Sequence, residues 1–163
     1  MLYNESNKDM ERGGIMSNIE IIKGLGILRE IRLSASFCEK VNDQSCDCDG
    51  IILTGDQGAA YLTYRSLGED GRIEINPVTP YNELDYPYFV NLELREFQLD
   101  EICYYDDGSV EGIRFRSDDT FLFVFGSEYN LILTISKYDL FETIDMDFPQ
   151  NESSLCLFCK LLK

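Results

Sequence analysis

The second half of the chain contains short apolar runs separated by turn-forming residues. Four runs, at residues 102–105, 112–116, 120–125 and 131–136, have the length and composition of β-strands. The linkers between them are rich in Asp, Asn, Ser and Gly, whose side chains satisfy the backbone locally or tolerate positive φ. The pattern predicts an antiparallel meander over residues 102–136.

The run at residues 120–125 is apolar on both faces. Phe121, Phe123 and Phe125 alternate with Leu122 and Val124, whereas the preceding run places arginines on one of its faces. A strand that is apolar on both faces is typical of the centre of a sheet covered by a second layer. We expect that layer to come from a helix within residues 137–146 or from the apolar run 155–162.

The first half has a weaker pattern. Ile19 and Ile21, followed by Gly24 and Gly26 and then an apolar run from Ile27, predict two strands around a glycine bend, with a helix beginning near Ile27 as the alternative. Residues 42–50 are turn formers and predict a loop. Residues 51–54 and 61–65 predict strands.

Another hairpin is predicted further along, because residues 69–71 are turn formers and residues 72–75 alternate in polarity. Prolines then interrupt a tyrosine-rich segment at residues 77–87, and residues 88–97 begin as a strand and end as a strand or a short helix. The predicted fold class is α+β: a mainly antiparallel β-sheet meander with one or two covering helices.

The length of 163 residues favours one domain, which we expect to span residues 16–163. Residues 1–15 are polar, lack periodicity and contain a Gly-Gly pair, so we expect a frayed leader or a non-native extension. Met16 is the alternative natural start.

The chain is strongly acidic, with 30 Asp and Glu against 14 Lys and Arg, for a net charge of −16. Such a field repels phosphate backbones and anionic membrane surfaces and attracts basic proteins, so the sequence argues against direct nucleic-acid or membrane binding. There is no histidine, which excludes Ser-His-Asp triads, Cys-His dyads and histidine metal sites.

The six cysteines offer a zinc hypothesis, because Cys46 and Cys48 form one close pair and Cys156 and Cys159 another. The two pairs lie more than a hundred residues apart, and Cys-x-Cys is a poor chelating arrangement. We therefore expect reduced cysteines that pack as small apolar residues, and no cofactor.

Residues 45–56 partly match a calcium-binding loop, with Gly50 at the sixth position. Ser45 and Asp56 replace the usual first Asp and last Glu, so an acidic surface loop is the simpler interpretation. Adjacent carboxylates such as Asp106 and Asp107 resemble acid–base pairs, but they fall in predicted turns, where solvated Asp is common.

The acidic residues of the meander, together with two tyrosines, are the predicted contact site for a basic protein. Carboxylates accelerate association with a cationic partner, and tyrosine supplies apolar contact area with a polar tip. The alternative is that the charge only keeps a β-rich domain soluble. The predicted partner-binding residues are Asp106, Asp107, Glu111, Asp118, Asp119, Tyr104 and Tyr105.

A histidine-free acidic domain that contains the strand-like runs 121–125 and 130–136, followed by Tyr-Asp-Leu-Phe at residues 138–141, resembles the immunity proteins of bacterial polymorphic-toxin and contact-dependent-inhibition systems. The resemblance implies a cytoplasmic, non-enzymatic protein that binds a cognate toxin domain. Where that toxin is a nuclease, the acidic inhibitor is expected to block its basic active-site groove. The rival hypotheses are a metal-assisted, carboxylate-dependent hydrolase and a structural or assembly module.

Overall fold

Antiparallel β-strands make up most of the described chain. The computed structural model describes residues 18–34, 45–67, 70–126, 131–137, 139 and 141. Within these ranges the strands are β1 (Leu28–Leu33), β2 (Ser45–Cys48), β3 (Gly50–Gly55), β4 (Ala59–Leu67), β5 (Asp70–Asn76), β6 (Tyr88–Asn91), β7 (Gln98–Tyr104), β8 (Val110–Ser117), β9 (Thr120–Gly126) and β10 (Leu131–Ser136). The mainly antiparallel prediction is confirmed.

One sheet contains all ten described strands. Nine of them follow the order β2-β10-β9-β8-β5-β4-β3-β1-β6, and β7 lies outside this order and pairs with β8. Strands β7 to β10 pair sequentially and antiparallel, which confirms the predicted meander. β4 and β5 form the predicted hairpin.

The sheet curls because β2, at one end of the strand order, is joined through one residue to β3, which lies near the other end. Asp49 alone separates β2, which pairs with β10, from β3, which pairs with β1 and β4. The backbone N–H of Leu28 also donates to the carbonyl of Phe97, next to β7, at 2.9 Å. Distant parts of the strand order are thereby brought round a common interior.

That interior is the main hydrophobic core, formed by inward-facing residues of neighbouring strands. Members contributed by five different strands, each fully buried, are Ile31, Leu62, Ile113, Leu122 and Leu133. Alternation along each strand follows from the pleat, which sends successive side chains to opposite faces.

β9 is central and covered on both faces, as its sequence predicts. Phe123 and Phe125 point away from the main core, and the Phe141 ring packs against them with centroid separations of 5.2 and 5.7 Å. The two alternatives for the covering layer, a helix within residues 137–146 and the apolar run 155–162, lie outside the described residues, apart from Lys137, Asp139 and Phe141.

The prediction of a strand at Ile19 and Ile21 is wrong. Residues 18–23 are helical, because Ile19, Ile22 and Leu25 recur every three residues and form one apolar side that packs on the core. The chain then bends at Gly26, whose φ of +74° suits glycine, and enters β1 as predicted.

The prediction of a loop at residues 42–50 is also wrong over residues 45–50, the part of this stretch that the structure describes. β2 and β3 occupy this stretch because β10 and β4 supply hydrogen-bonding neighbours that override the local turn preference. An extended backbone here does not wrap around an ion as the calcium template requires. In the segment 88–97, the predicted strand forms over Tyr88–Asn91, and the residues after it form a turn closed by a hydrogen bond from the Arg95 N–H to the Leu92 carbonyl.

The predicted leader at residues 1–15 lies outside the described residues, as do Cys38, Cys156 and Cys159. Cys48 is buried and Cys103 is half-buried. In the described ranges, no helix is long and apolar enough to cross a membrane.

Candidate interaction surface

The predicted partner-binding residues lie at the two ends of β8. Tyr104 ends β7, the next three predicted residues follow it in the β7–β8 turn, and Glu111 is near the start of β8. Asp118 and Asp119 form the turn to β9 at the far end. Eight strand residues separate the two turns, a span of about 25 Å. The set therefore does not form one compact cluster.

Two further carboxylates, Asp100 and Glu101, connect the two ends. Glu101 lies opposite Arg114 in the β7–β8 register, and Asp100 lines the same open groove as Asp118 and Asp119. We call the combined surface the acidic face. Its residues are Asp100, Glu101, Asp106, Asp107, Glu111, Asp118 and Asp119.

Sequence reasoning missed the linking role of Asp100 and Glu101. Their register depends on an irregularity between Leu99 and Glu101, which alternation in the sequence does not reveal. The excess of carboxylates from residue 100 onward was visible in the sequence.

Arg114 ties the middle of the acidic face together. Its guanidinium is only 11% exposed and lies 2.6 Å from Asp100, 3.1 Å from Glu101 and 2.8 Å from Asp139. Burial lowers the pKa of Arg114, but hydrogen bonds to Asp139 and Asp100 outweigh burial, so its pKa is raised overall. Because one cation faces three anions, this cluster keeps a net negative charge.

Aromatic rings complete the surroundings of Arg114. The guanidinium carbon lies 5.2 Å from the Phe121 ring centroid and 5.4 Å from that of Phe141. Both distances fit cation–π contacts. Arg114 therefore connects β7, β8, β9 and the segment at residues 139–141.

The β7–β8 turn is ordered by contacts to β5. Asp107 lies 3.3 Å from Arg72, and its carboxylate also accepts hydrogen bonds from the backbone and hydroxyl of Ser109. The hydrogen bonds from Ser109 are the main reason that the pKa of Asp107 is lowered to about 2, with Arg72 adding to the effect. Asp107 is therefore a charged residue with a structural role.

The two predicted tyrosines have different environments. Tyr104 is 47% exposed, as expected of a contact residue. Tyr105 is half-buried, donates its hydroxyl to the Gly71 carbonyl at 2.9 Å, and packs its ring against the guanidinium of Arg72. Tyr105 holds the turn in place, whereas Tyr104 presents its ring to solvent.

Glu111 is near a thiol. The Cys103 sulfur donates to Glu111 Oε1 at 3.6 Å. Burial, followed by the negative charge of Glu111, raises the pKa of Cys103, so this thiol stays protonated at neutral pH. Cys103 is consequently a weak nucleophile.

The described basic side chains are largely engaged in ion pairs with the protein's own carboxylates. These paired residues are Lys23, Arg29, Arg32, Arg65, Arg72, Arg114 and Lys137. By contrast, Asp106, Glu111 and Asp118 form no ion pair with another described residue. The acidic face thus has negative charge that the described residues do not neutralise.

The residues predicted to be solvated turn carboxylates do lie in turns, as Asp106 and Asp107 precede β8 and Asp118 and Asp119 follow it. In the part of the chain that the structure describes, no group of three or more His, Cys, Asp or Glu side chains is placed to hold a metal ion.

Comparison with known proteins gives no relative. No protein-family model, curated protein or solved structure matches this chain.

Proposed function

We propose that this protein is a non-enzymatic immunity protein that binds and neutralises a basic bacterial toxin domain, with the acidic face as its contact surface. The observation that carries the proposal is the contrast between the two kinds of charge. The described arginines and lysines mostly pair within the protein, whereas Asp106, Glu111 and Asp118 are left without an ion-pair partner among the described residues.

Unneutralised carboxylates in a strand and in the turns at its two ends suit electrostatic recognition. β7 and β8 pair over most of their length, so the charges keep fixed spacings before a partner arrives. Complementary charge raises association rates from about 10⁵–10⁶ to as much as about 10⁸–10⁹ M⁻¹s⁻¹ at low salt. Fast capture is what an inhibitor of a lethal enzyme needs.

The chemistry of a nuclease groove fits the same surface. Such a groove binds phosphates through basic side chains, and a row of carboxylates about 25 Å long offers negative charge in their place. Tyr104 adds exposed apolar area beside the turn, where tyrosine is favoured in interface contacts.

The proposal is tested by co-expressing this protein with the toxin encoded by the gene next to its own. The wild type should protect growth and co-purify with the toxin. The triple variant Asp106→Asn, Glu111→Gln and Asp118→Asn should bind at least tenfold more weakly and lose protection at matched expression. The control variant Glu20→Gln with Glu93→Gln removes carboxylates from the helix and the β6–β7 connection, and it should protect like the wild type.

Two results would overturn the proposal. One is full protection by the triple variant, which would place the contact elsewhere. The other is stoichiometric divalent metal together with hydrolytic activity in protein purified without chelator, which would favour the hydrolase.

A further inference from the structure

A second surface lies on the outer face of β3 and β4. Ile51 and Leu62 form one cross-strand pair directed into the main core, so the next pair, Ile52 and Tyr61, faces outward. Ile52 is nevertheless 97% buried, since it is only 3% exposed. Something must cover it.

The cover is the proline-punctuated segment at residues 77–87. After β5 the chain returns across the outer face, where Val78, Tyr81 and Tyr86 lie beside Ile52 and Tyr61. A short 3₁₀ turn at Glu83–Asp85 shapes the segment, and Asn82 caps it by accepting from the Leu84 N–H at 2.9 Å. Two further tyrosines are thus brought to Tyr61.

The Tyr86 ring is nearly perpendicular to each of the other two tyrosine rings. Tyr86 lies 6.1 Å from Tyr61 with an interplanar angle of 86°, and 5.5 Å from Tyr81 with an angle of 85°. Gly50 makes room for two of the rings, because a Cβ there would lie 3.2 Å from Tyr61 Cε1 and 3.4 Å from Tyr86 Cε1.

Between these rings is a cavity of about 40 Å³, lined by Ile52, Tyr61, Val78, Thr79, Tyr81 and Tyr86. A single water needs roughly 10–15 Å³ of such space, so the cavity admits a group of two or three heavy atoms. It is too small for an aromatic ring. We call it the tyrosine cage.

The charge around the cage favours a cation. Burial and a hydrogen bond with Tyr61 raise the pKa of Tyr86. The negative charge of the adjacent Asp85 raises it further. Arg32, which does not line the cage, forms an ion pair with Glu83 at 3.5 Å and lies 5.1 Å from the centroid of the Phe89 ring, so Glu83 and Asp85 together outnumber this one cation. Its Nη1 also donates to the Tyr86 carbonyl at 3.3 Å.

We propose that the tyrosine cage binds an alkylammonium group, supplied by a lysine side chain of the basic partner. Three tyrosines line the cage, its volume fits the terminal CH₂–NH₃⁺ of lysine, and Tyr81, which is 38% exposed, lies at the protein surface. Val78, which is half-buried, supplies an apolar contact for the methylene stem. The lysine source rests on the proposed function, whereas the ammonium site itself does not.

The cage is tested with n-butylammonium chloride as the probe and n-butanol as its neutral counterpart, monitored by NMR of the tyrosine rings in the full chain. Butylammonium should shift the rings of Tyr61, Tyr81 and Tyr86 with a saturable, roughly millimolar dissociation constant, and butanol should not. The Tyr81→Leu variant should bind about 5- to 30-fold more weakly, whereas Tyr81→Phe should retain binding because it keeps the ring. Tyr104→Leu, which removes an exposed tyrosine outside the cage, is the matched control.

Absence of a saturable shift, equal binding of butanol, or an equal loss in Tyr104→Leu would overturn the ammonium site. The lysine source is tested with the purified partner, whose affinity should fall in Tyr81→Leu and be retained in Tyr81→Phe when the acidic face is already neutralised. An unchanged partner affinity would overturn that source. The butylammonium titration needs no partner, so failure of the cage is distinguishable from failure of the proposed function.

Discussion

The guanidinium carbon of Arg72 lies 4.2 Å from the centroid of the Tyr105 ring, while the Tyr105 hydroxyl donates to the carbonyl of neighbouring Gly71. One tyrosine thereby fastens the β7–β8 turn to β5. The acidic turn residues next to it owe their positions to this attachment.

Tyr105→Phe should lower the free energy of unfolding by about 1 kcal/mol, because it removes one hydrogen bond and keeps the ring over Arg72. Tyr104→Phe should change stability by less than about 0.5 kcal/mol, since that side chain is exposed. Urea unfolding of both variants checks the pair. Equal destabilisation by the two substitutions would refute the assignment of Tyr105 as the anchor.

The contribution of Asp107 to the stability of the fold should depend on pH. Its pKa in the folded protein, about 2, is below the ordinary value of 3.8, so the contribution is present above pH 4 and is lost as the pH falls towards 2. Asp107→Asn should therefore be less stable than the wild type at pH 7, with the difference shrinking between pH 4 and pH 2. Urea unfolding across that range measures it.

The control for Asp107 is Asp106→Asn, which removes the neighbouring carboxylate but no described ion pair. It should alter stability little at pH 7. A direct NMR titration of the Asp107 carboxyl with a midpoint near 4 would contradict the prediction.

Arg114→Met should destabilise the fold by about 2 kcal/mol. The substitution leaves Asp100 and Asp139 as partly buried anions without their counter-ion. The expected loss of stability is smaller than for a fully buried ion pair, because these carboxylates are 29% and 25% exposed. Arg116→Met removes an exposed arginine from the same strand and should cost less than about 1 kcal/mol. Thermal unfolding of both variants compares them, and a smaller effect at Arg114 than at Arg116 would be inconsistent with this network.

Much of the sheet was predictable from local sequence. The meander from β7 to β10 has turn residues between apolar runs, and the double-sided apolar pattern of Phe121 to Phe125 identifies a central strand. These features depend on neighbours in the chain, for which composition and alternation are informative.

The errors occurred where distant partners decide the structure. Ser45 to Cys48 is locally a turn former but is held extended by β10, some 85 residues later. Likewise, Asp100 and Glu101 join the acidic face only through Arg114 and the β7–β8 register. The tyrosine cage requires the segment at residues 77–87 to return over Ile52, which periodicity does not encode.

The most direct test of the electrostatic account is the association rate with the purified partner, measured by stopped flow from low to high ionic strength. The Asp106→Asn, Glu111→Gln double variant should associate more slowly at low salt and show a flatter salt dependence, while its thermal midpoint stays near that of the wild type. The Glu20→Gln, Glu93→Gln variant carries the same change in net charge and should follow the wild type. Identical rates and salt slopes for all three proteins would contradict the claim that the acidic face receives a cationic partner.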